Sequence, residues 1–387
     1  MKHTRLVILM MFLALFSLKV VNSQAPVQLD PVRTQISDLE PYFSSYFEPF
    51  ARGMAVGMGG GWYNTAKVHS FLGFDISLVS ISLTQIPDAD KTFSLSNDAF
   101  PAGKGYSLTA NSDLPTLNAD EGGTVPKLRR TIEQSGSVDV NGNPVNYNFS
   151  ETEDLMEMPE GAGLAYSGAL NMVQVGFGLP KGITIKARFL PEFEVAPLDL
   201  TANLWGVGLQ HDILQWIPVA SKVPFLQASI VGGYSKFTGS YGGPPFAIDE
   251  GSFPGFTSNE PASAWGDQSF ELETSSLSGG LVVGASLPVV HPYVGLNYNK
   301  SSFTGGLRGN FPIAEVTAEI DPNDPNNPTF EKEVMAGDID PLDIETDDTM
   351  IGFTGGLRVK LAVITLWGQY TVQEYPMINA GLGISFR

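Results

Sequence analysis

The chain contains no cysteine, which excludes disulfides, thiolate metal sites and the acylated cysteine of a lipoprotein. Long apolar runs are missing too: the longest, Leu6 to Phe16, falls short of the roughly 20 residues that a membrane helix requires. Any membrane span must then be made by strands closed into a barrel, because lipid offers no partners to an open sheet edge. Basic residues are scarce, and the formal charge of −19 argues against nucleic acid, whose phosphates demand a basic face. Beyond the N-terminal leader only His69, His211 and His291 remain, too scattered for a metal cluster. There is no Gly-x-Ser-x-Gly elbow, and the glycines from Gly57 to Gly61 do not follow a strand and open a helix as a dinucleotide site requires. The chain reads as a non-enzyme with no cofactor and no metal.

What is present suits an exported β-protein. Glycine numbers 42, apolar residues make up 43% and aromatics 11%, a composition for many strands and tight turns. Lys2 and Arg5 precede the apolar run, and Val21 and Ser23 stand where a signal peptidase reads small residues, so a signal peptide of residues 1–23 is expected. Its removal takes Lys2, Arg5 and Lys19 and no acid, leaving the mature chain more acidic still. At the other end, Ala380, Leu382, Ile384 and Phe386 alternate with Gly381, Gly383, Ser385 and Arg387, one apolar face against one small or polar face. Such an end resembles the closing strand of a bacterial outer-membrane barrel, which the barrel assembly machinery reads.

Alternation marks ten strands: Phe71 to Thr84, Tyr166 to Phe177, Gly182 to Phe193, Thr201 to His211, Pro224 to Phe237, Phe270 to Leu287, Pro292 to Phe303, Met350 to Val359, Leu361 to Thr371 and Met377 to Phe386. The clearest sets Ile183, Ile185, Ala187 and Phe189 against Thr184, Lys186 and Arg188. Cations facing a soluble core would be costly, whereas facing a wet lumen they cost little, so these three polar residues are read as lumen-facing. If the last strand descends, the long connections 85–165, 239–269 and 304–349 all fall on the outer side. Short ones at Pro180 and Lys181, Pro288 to His291 and Lys360 fall on the inner side, the usual asymmetry of bacterial barrels. The expected fold is an all-β antiparallel transmembrane barrel of about ten to fourteen strands over residues 71–387, in the outer membrane among lipids and lipopolysaccharide. Asn141 and Gly142 signal a hairpin in the first loop. Ile213 to Ile217 reads as an interfacial turn with Trp216 at headgroup depth, or as a turn packed under the barrel. The loop from Ile313 to Met350 holds twelve acids against Lys332. Calcium takes such ligands, but the spacing matches no EF-hand and a solvated, self-repelling loop is the favoured reading.

Residues 24–70 precede the first strand and are expected to plug the lumen. Tyr42, Tyr46 and Phe50 recur at helical spacing beside Phe43 and Phe47. A Gly-rich run then leads into Trp62, Tyr63, Asn64, Thr65 and Ala66. This stretch resembles the N-terminal hatch of long-chain fatty acid transporter-like outer-membrane channels, which ends in a Tyr-Asn-Pro-Ala-like motif. Asn64 and Ala66 fit, while Thr65 stands where proline is usual. The resemblance implies passive uptake of hydrophobic molecules, with Tyr42, Tyr46, Phe50, Trp62 and Asn64 as candidate ligand contacts; helix packing is the competing reading for the aromatics. The whole mature chain also resembles an uncharacterised family of Bacteroidota outer-membrane proteins, on Trp62 to Ala66 and on His211, Asp212, Gln215, Trp216, Ile217 and Pro218. The alternatives are a non-transporting structural or adhesion barrel acting through its acidic loops, and a soluble secreted β-protein.

Deleting Met377 to Arg387 is expected to abolish assembly, because an open barrel exposes unpaired edges to lipid. Cell fractionation, with a gel comparing unheated and heated samples, checks this: the intact protein should run faster unheated in the membrane fraction, and the truncated one should not.

Overall fold

A computed structural model describes residues 35–386 except 124, 141–142, 196–199, 243–248, 250–256 and 322–323; the expected signal peptide lies outside the described residues. Ten antiparallel strands form one closed sheet. They are β1 (Phe74–Gln85), β2 (Tyr166–Asn171, continued after Met172 by Val173–Leu179), β3 (Ile183–Val195), β4 (Leu200–Asp212) and β5 (Leu226–Tyr241), then β6 (Ser269–Ala285), β7 (Val290–Arg308), β8 (Leu342–Leu361), β9 (Ile364–Val372) and β10 (Met377–Phe386). Each pairs with its sequence neighbours, and β10 returns to β1 with Phe74 opposite Phe386. Those two rings stack with centroids 4.9 Å apart, fastening the seam. Closure leaves the barrel no edge strand, which is what a bilayer demands of a sheet.

The ten strands are those read from alternation, with corrections at their ends, of which two lie at the inner rim and the largest are the outward extensions of β7 and β8. Leu72 takes a positive φ of 63°, which breaks the alternation, so β1 begins at Phe74 rather than Phe71. Leu361 pairs directly with Ile364, so the last inner turn is Ala362 and Val363, and Lys360 belongs to the strand.

Strands β3 to β8 reverse their polarity part-way along. On β8, Leu342, Ile344 and Met350 are buried while Asp343, Glu345 and Asp347 are exposed; further down, Ile351, Phe353, Leu357 and Leu361 are exposed while Thr354 and Arg358 are buried. On β7, Phe303 and Leu307 are inside with Lys300 and Thr304 outside, and lower down Val294, Leu296 and Tyr298 are outside with Asn299 inside. The lower half is thus apolar outside and mainly small or polar inside, with Val231, Val282 and Tyr293 as inward apolar exceptions, while the upper half has the ordinary polarity of a water-soluble barrel. From Ile351 to Leu361, β8 supplies the roughly 9–11 residues with which a tilted strand crosses a bilayer. Phe189, Trp205, Tyr234 and Tyr298 stand at the upper edge of the apolar belt, as interfacial aromatics do.

This reversal explains why 304–349 reads as a loop: its alternation is inverted and acidic. In the structure β7 runs to Arg308, β8 starts at Leu342, and Asn310–Asp321 pairs with Asp324–Ile339 between them. The first long connection carries a hairpin of Lys127–Val140 and Asn143–Glu157 around the expected turn, extended by Tyr106–Leu108; Asn141 and Gly142 lie outside the described residues. All three long connections leave the same rim. The opposite rim has short turns and one longer link holding a 3-10 turn, Leu214–Trp216, with Trp216 66% exposed. Before β1, a 3-10 turn (Ile36–Leu39) leads into α1 (Glu40–Met58).

Ile185→Arg, on the apolar belt, should cost about 2–4 kcal/mol, whereas Glu345→Arg, above the belt, should stay within about 0.5 kcal/mol. Urea titration of the protein folded in lipid vesicles measures both.

Candidate functional site

The inside of the barrel is occupied by protein. Helix α1 is apolar around most of its circumference, as a buried helix must be. Ala51, Met54, Ala55 and Met58 pack on Leu204, Phe237, Phe303 and Phe311 in the upper, apolar half of the barrel. The helix approaches the wall so closely at Gly53 that a Cβ there would collide with the Ser167 side chain. Its N-terminal half is covered by the first long connection: Leu39, Tyr42 and Tyr46 pack on Phe100, Tyr106, Leu108 and Leu128. The Tyr46 hydroxyl donates to the Glu160 carbonyl at 2.8 Å. Burial pushes the Tyr42 and Tyr46 phenols well above their ordinary pKa, with Tyr46 adding to the effect at Tyr42 and Glu160 at Tyr46. Arg52 forms a two-pronged bond with Asp348 of β8 at 2.8 to 3.0 Å, and Asp38 accepts from Lys104 and Tyr106 at 3.1 and 3.0 Å.

The C-terminal end of α1 points down into the polar half, where its last carbonyls lack the usual i+4 partners, although Val56 O and Gly57 O accept the amides of Gly59 and Gly60 at 3.0 and 3.2 Å. Four strands of the wall supply donors. Asn299 of β7 donates to Val56 O at 3.2 Å, Ser82 of β1 to Gly57 O at 2.8 Å, Arg188 of β3 to Met58 O at 3.2 Å, and Ser278 of β6 to Gly59 O at 2.9 Å. A cation at this end also meets the negative pole of the helix, an effect of up to about 2 kcal/mol when partly buried. Below the helix, Lys186 donates to Trp62 O and to Gln210 Oε1, both at 2.7 Å. Gln210 reaches Thr65 O at 2.9 Å, and Arg358 bonds Asn64 Oδ1 at 2.9 Å. The Arg188 guanidinium lies 3.6 Å from the centre of the Trp62 ring, a desolvated cation–π contact of about 2 kcal/mol. Trp62 has room because the wall beneath it is glycine: a Cβ on Gly208 or Gly233 would strike the indole.

The sequence-predicted residues therefore divide. Thr184, Lys186 and Arg188 do face inward, but against protein rather than water: they are 1%, 8% and 1% exposed, and Thr184 accepts the His69 amide at 3.0 Å. Of the candidate ligand contacts, Tyr42 and Tyr46 are enclosed between the helix and the outer connection, and Phe50 packs on the upper core. Trp62 is clamped by Arg188, and Asn64 holds Arg358. Sequence reading missed Ser82, Gln174, Gln210, Ser278, Asn299 and Arg358; each lies on the small or polar face of a strand, so the alternation that located the strands also marked them. The lumen gap beside Gly59 to Tyr63, against Asn297, Thr354 and Gln369, measures about 30 Å³, room for one or two waters. A larger, open groove of about 330 Å³ lies at the upper rim, lined by Glu192, Thr201, Glu271, Glu273 and Arg308. Among the described residues no three His, Cys, Asp or Glu side chains gather as a metal site would require.

A model of DUF6588, a family of unknown function, matches residues 1–386. No curated protein matches the chain. Among solved structures, the outer membrane transporter YddB of Escherichia coli is 10% identical with a TM-score of 0.26, the match covering 81% of this chain and 44% of that one. A loop-deleted OmpT, an outer membrane protein of Vibrio cholerae, is 9% identical with a TM-score of 0.17, covering 81% and 98%. The chain spans less than half the length of the E. coli transporter, and neither likeness lends this chain an activity.

Gly233→Val should drive Trp62 from its seat while leaving the strand pairing intact. Acrylamide quenching of tryptophan fluorescence checks this: the variant should gain one quencher-accessible tryptophan, with heat-modifiable mobility on gels retained.

Proposed function

We propose that this chain, a member of the DUF6588 family, is an outer-membrane barrel that passes a small hydrophobic solute, with residues 35–66 as a plug that must shift for passage. The observation that carries the reading is the seating of this segment inside the wall, held by discrete hydrogen bonds, with a gap of about 30 Å³ beside Gly59 to Tyr63 among the described residues. Such a lumen is too full for free diffusion, yet its fastenings are separable side-chain contacts, each about 1 kcal/mol when neutral and more when charged. The apolar upper chamber, with Phe43, Phe47 and Phe50 turned toward Phe303 and Phe311, supports an apolar rather than a sugar-like or ionic solute. On this reading the apolar belt sits among outer-membrane lipids and lipopolysaccharide, the barrel assembly machinery inserts the chain, and no reaction is catalysed.

A second reading, a non-transporting structural or adhesion barrel, draws support from the same enclosure. The first connection covers the N-terminal half of α1 through Phe100, Tyr106 and Leu128, and the outer hairpins offer a broad surface to a partner.

Planar-bilayer conductance and uptake of a labelled apolar probe separate the two. The intact protein should conduct near zero, and a variant lacking Gln35 to Gly61 should show clear ion flow; the intact protein should move the probe, and Tyr42, Tyr46 and Phe50 changed together to Ala should slow it. If the folded deletion variant conducts no better than the intact protein and neither moves the probe, the structural reading replaces transport.

A further inference from the structure

At the end of the barrel opposite the long connections, an acidic protein gathers several cations around a single carboxylate, Asp75. His291 of β7 and Arg358 of β8 are direct cross-strand partners facing inward, and they are only 8% and 4% exposed. Arg358 gives one guanidinium nitrogen to Asn64, but its Nε, like Nδ1 of His291, is buried with no hydrogen-bond partner. Lys360, two residues along β8, and Lys67, just after the inner segment, act electrostatically on His291 together with Arg358. The carboxylate that offsets Arg358 and Lys360 is Asp75, and it is already bonded to the His69 ring at 2.5 Å. Among the described residues no carboxylate is ion-paired with Lys67, Arg358 or Lys360.

Burying charge without a counter-charge costs several kcal/mol per ion, and an unpaired buried donor adds its own penalty. Several other described cations have ion-pair partners: Arg52 has Asp348 and Glu374, Arg308 has Asp343, and Lys236 has Glu273. Even the buried Lys186 and Arg188 are met by carbonyls and amides. The group around Arg358 is different because two of its buried nitrogens, Arg358 Nε and His291 Nδ1, have no hydrogen-bond partner, and because Lys67 is exposed and Lys360 half-buried, which leaves it reachable from solution. A guanidinium edge, an imidazole nitrogen and two ammonium groups together match the oxygens of a planar or tetrahedral anion.

We infer that His291, Arg358, Lys360 and Lys67 form a binding site for an oxyanion, a carboxylate or a phosphate, at the short-turn end of the lumen. The site goes beyond the transport reading and does not depend on it, since an anion can bind here whether or not any solute crosses.

The test is calorimetric titration of the full-length folded protein in a neutral maltoside detergent with inorganic phosphate, with octanoate and with octanol. Saturable binding of phosphate is expected if a free oxyanion is recognised. Binding of octanoate but not phosphate assigns the anion to the head of an apolar molecule. In either case the paired substitution K67Q and K360Q, at accessible positions, should weaken binding at least about tenfold, and His291→Gln should do the same, with gel mobility confirming that the barrels are folded. The inference is overturned if neither anion binds, if octanol binds as well as octanoate, or if the folded K67Q and K360Q variant binds as tightly as the intact protein.

Discussion

A helix that ends inside a barrel must find partners for its last carbonyls, and most of the interior is arranged around that need. The donors that meet Val56, Gly57, Met58 and Gly59 come from β7, β1, β3 and β6, so the wall caps the helix from several directions. The dependence is mutual. Arg188 is fully desolvated, and its tolerable burial rests on Met58 O, Gln174 and the face of Trp62. Taking away either side leaves the other with unpaired polar groups in a low-dielectric space, where the penalty exceeds the net worth of any one bond. Wall and inner segment are one polar network rather than a container and its contents.

The reversal of polarity along β3 to β8 sets where this network sits. Below the aromatic edge the wall turns most of its apolar residues to lipid, so its inward residues are mainly small or polar, and they meet the carbonyls of Val56 to Gly59, while Val231, Val282 and Tyr293 pack on Trp62 and Tyr63. Above the edge the inward residues become Leu204, Phe237, Phe303 and Leu307, which receive the apolar body of α1. The helix is positioned along the barrel axis by two features of the wall, apolar contacts for its body above and donors for its last carbonyls below.

Much of this was legible beforehand. Ile185 against Lys186 and Leu382 against Gly383 located the strands, because a strand between lipid and protein must alternate. The helix was visible in Tyr42, Tyr46 and Phe50. What escaped has a physical cause. Above the membrane the alternation inverts, so Asp343, Glu345 and Asp347 read as a solvated loop although they continue β8. A polar inward face looks the same in sequence whether it meets water or buried carbonyls, so Thr184, Lys186 and Arg188 read as wet and proved enclosed. Alternation put Arg358 on an inward face, but nothing local named its partner, since Asn64 lies 294 residues away in the chain.

The fastening of the helix end spans very different distances along the chain. Its donors stand 25, 130, 219 and 243 residues from the carbonyls they meet. The first is available almost as soon as the segment exists, and the last only when β7 has been threaded into place. Contacts so distant in sequence are closed late, because each loop must lose its freedom before the bond repays it. The segment that leads the chain into the barrel is consequently seated in stages, and the last of these bonds serves as a report that the wall has been built at least as far as β7.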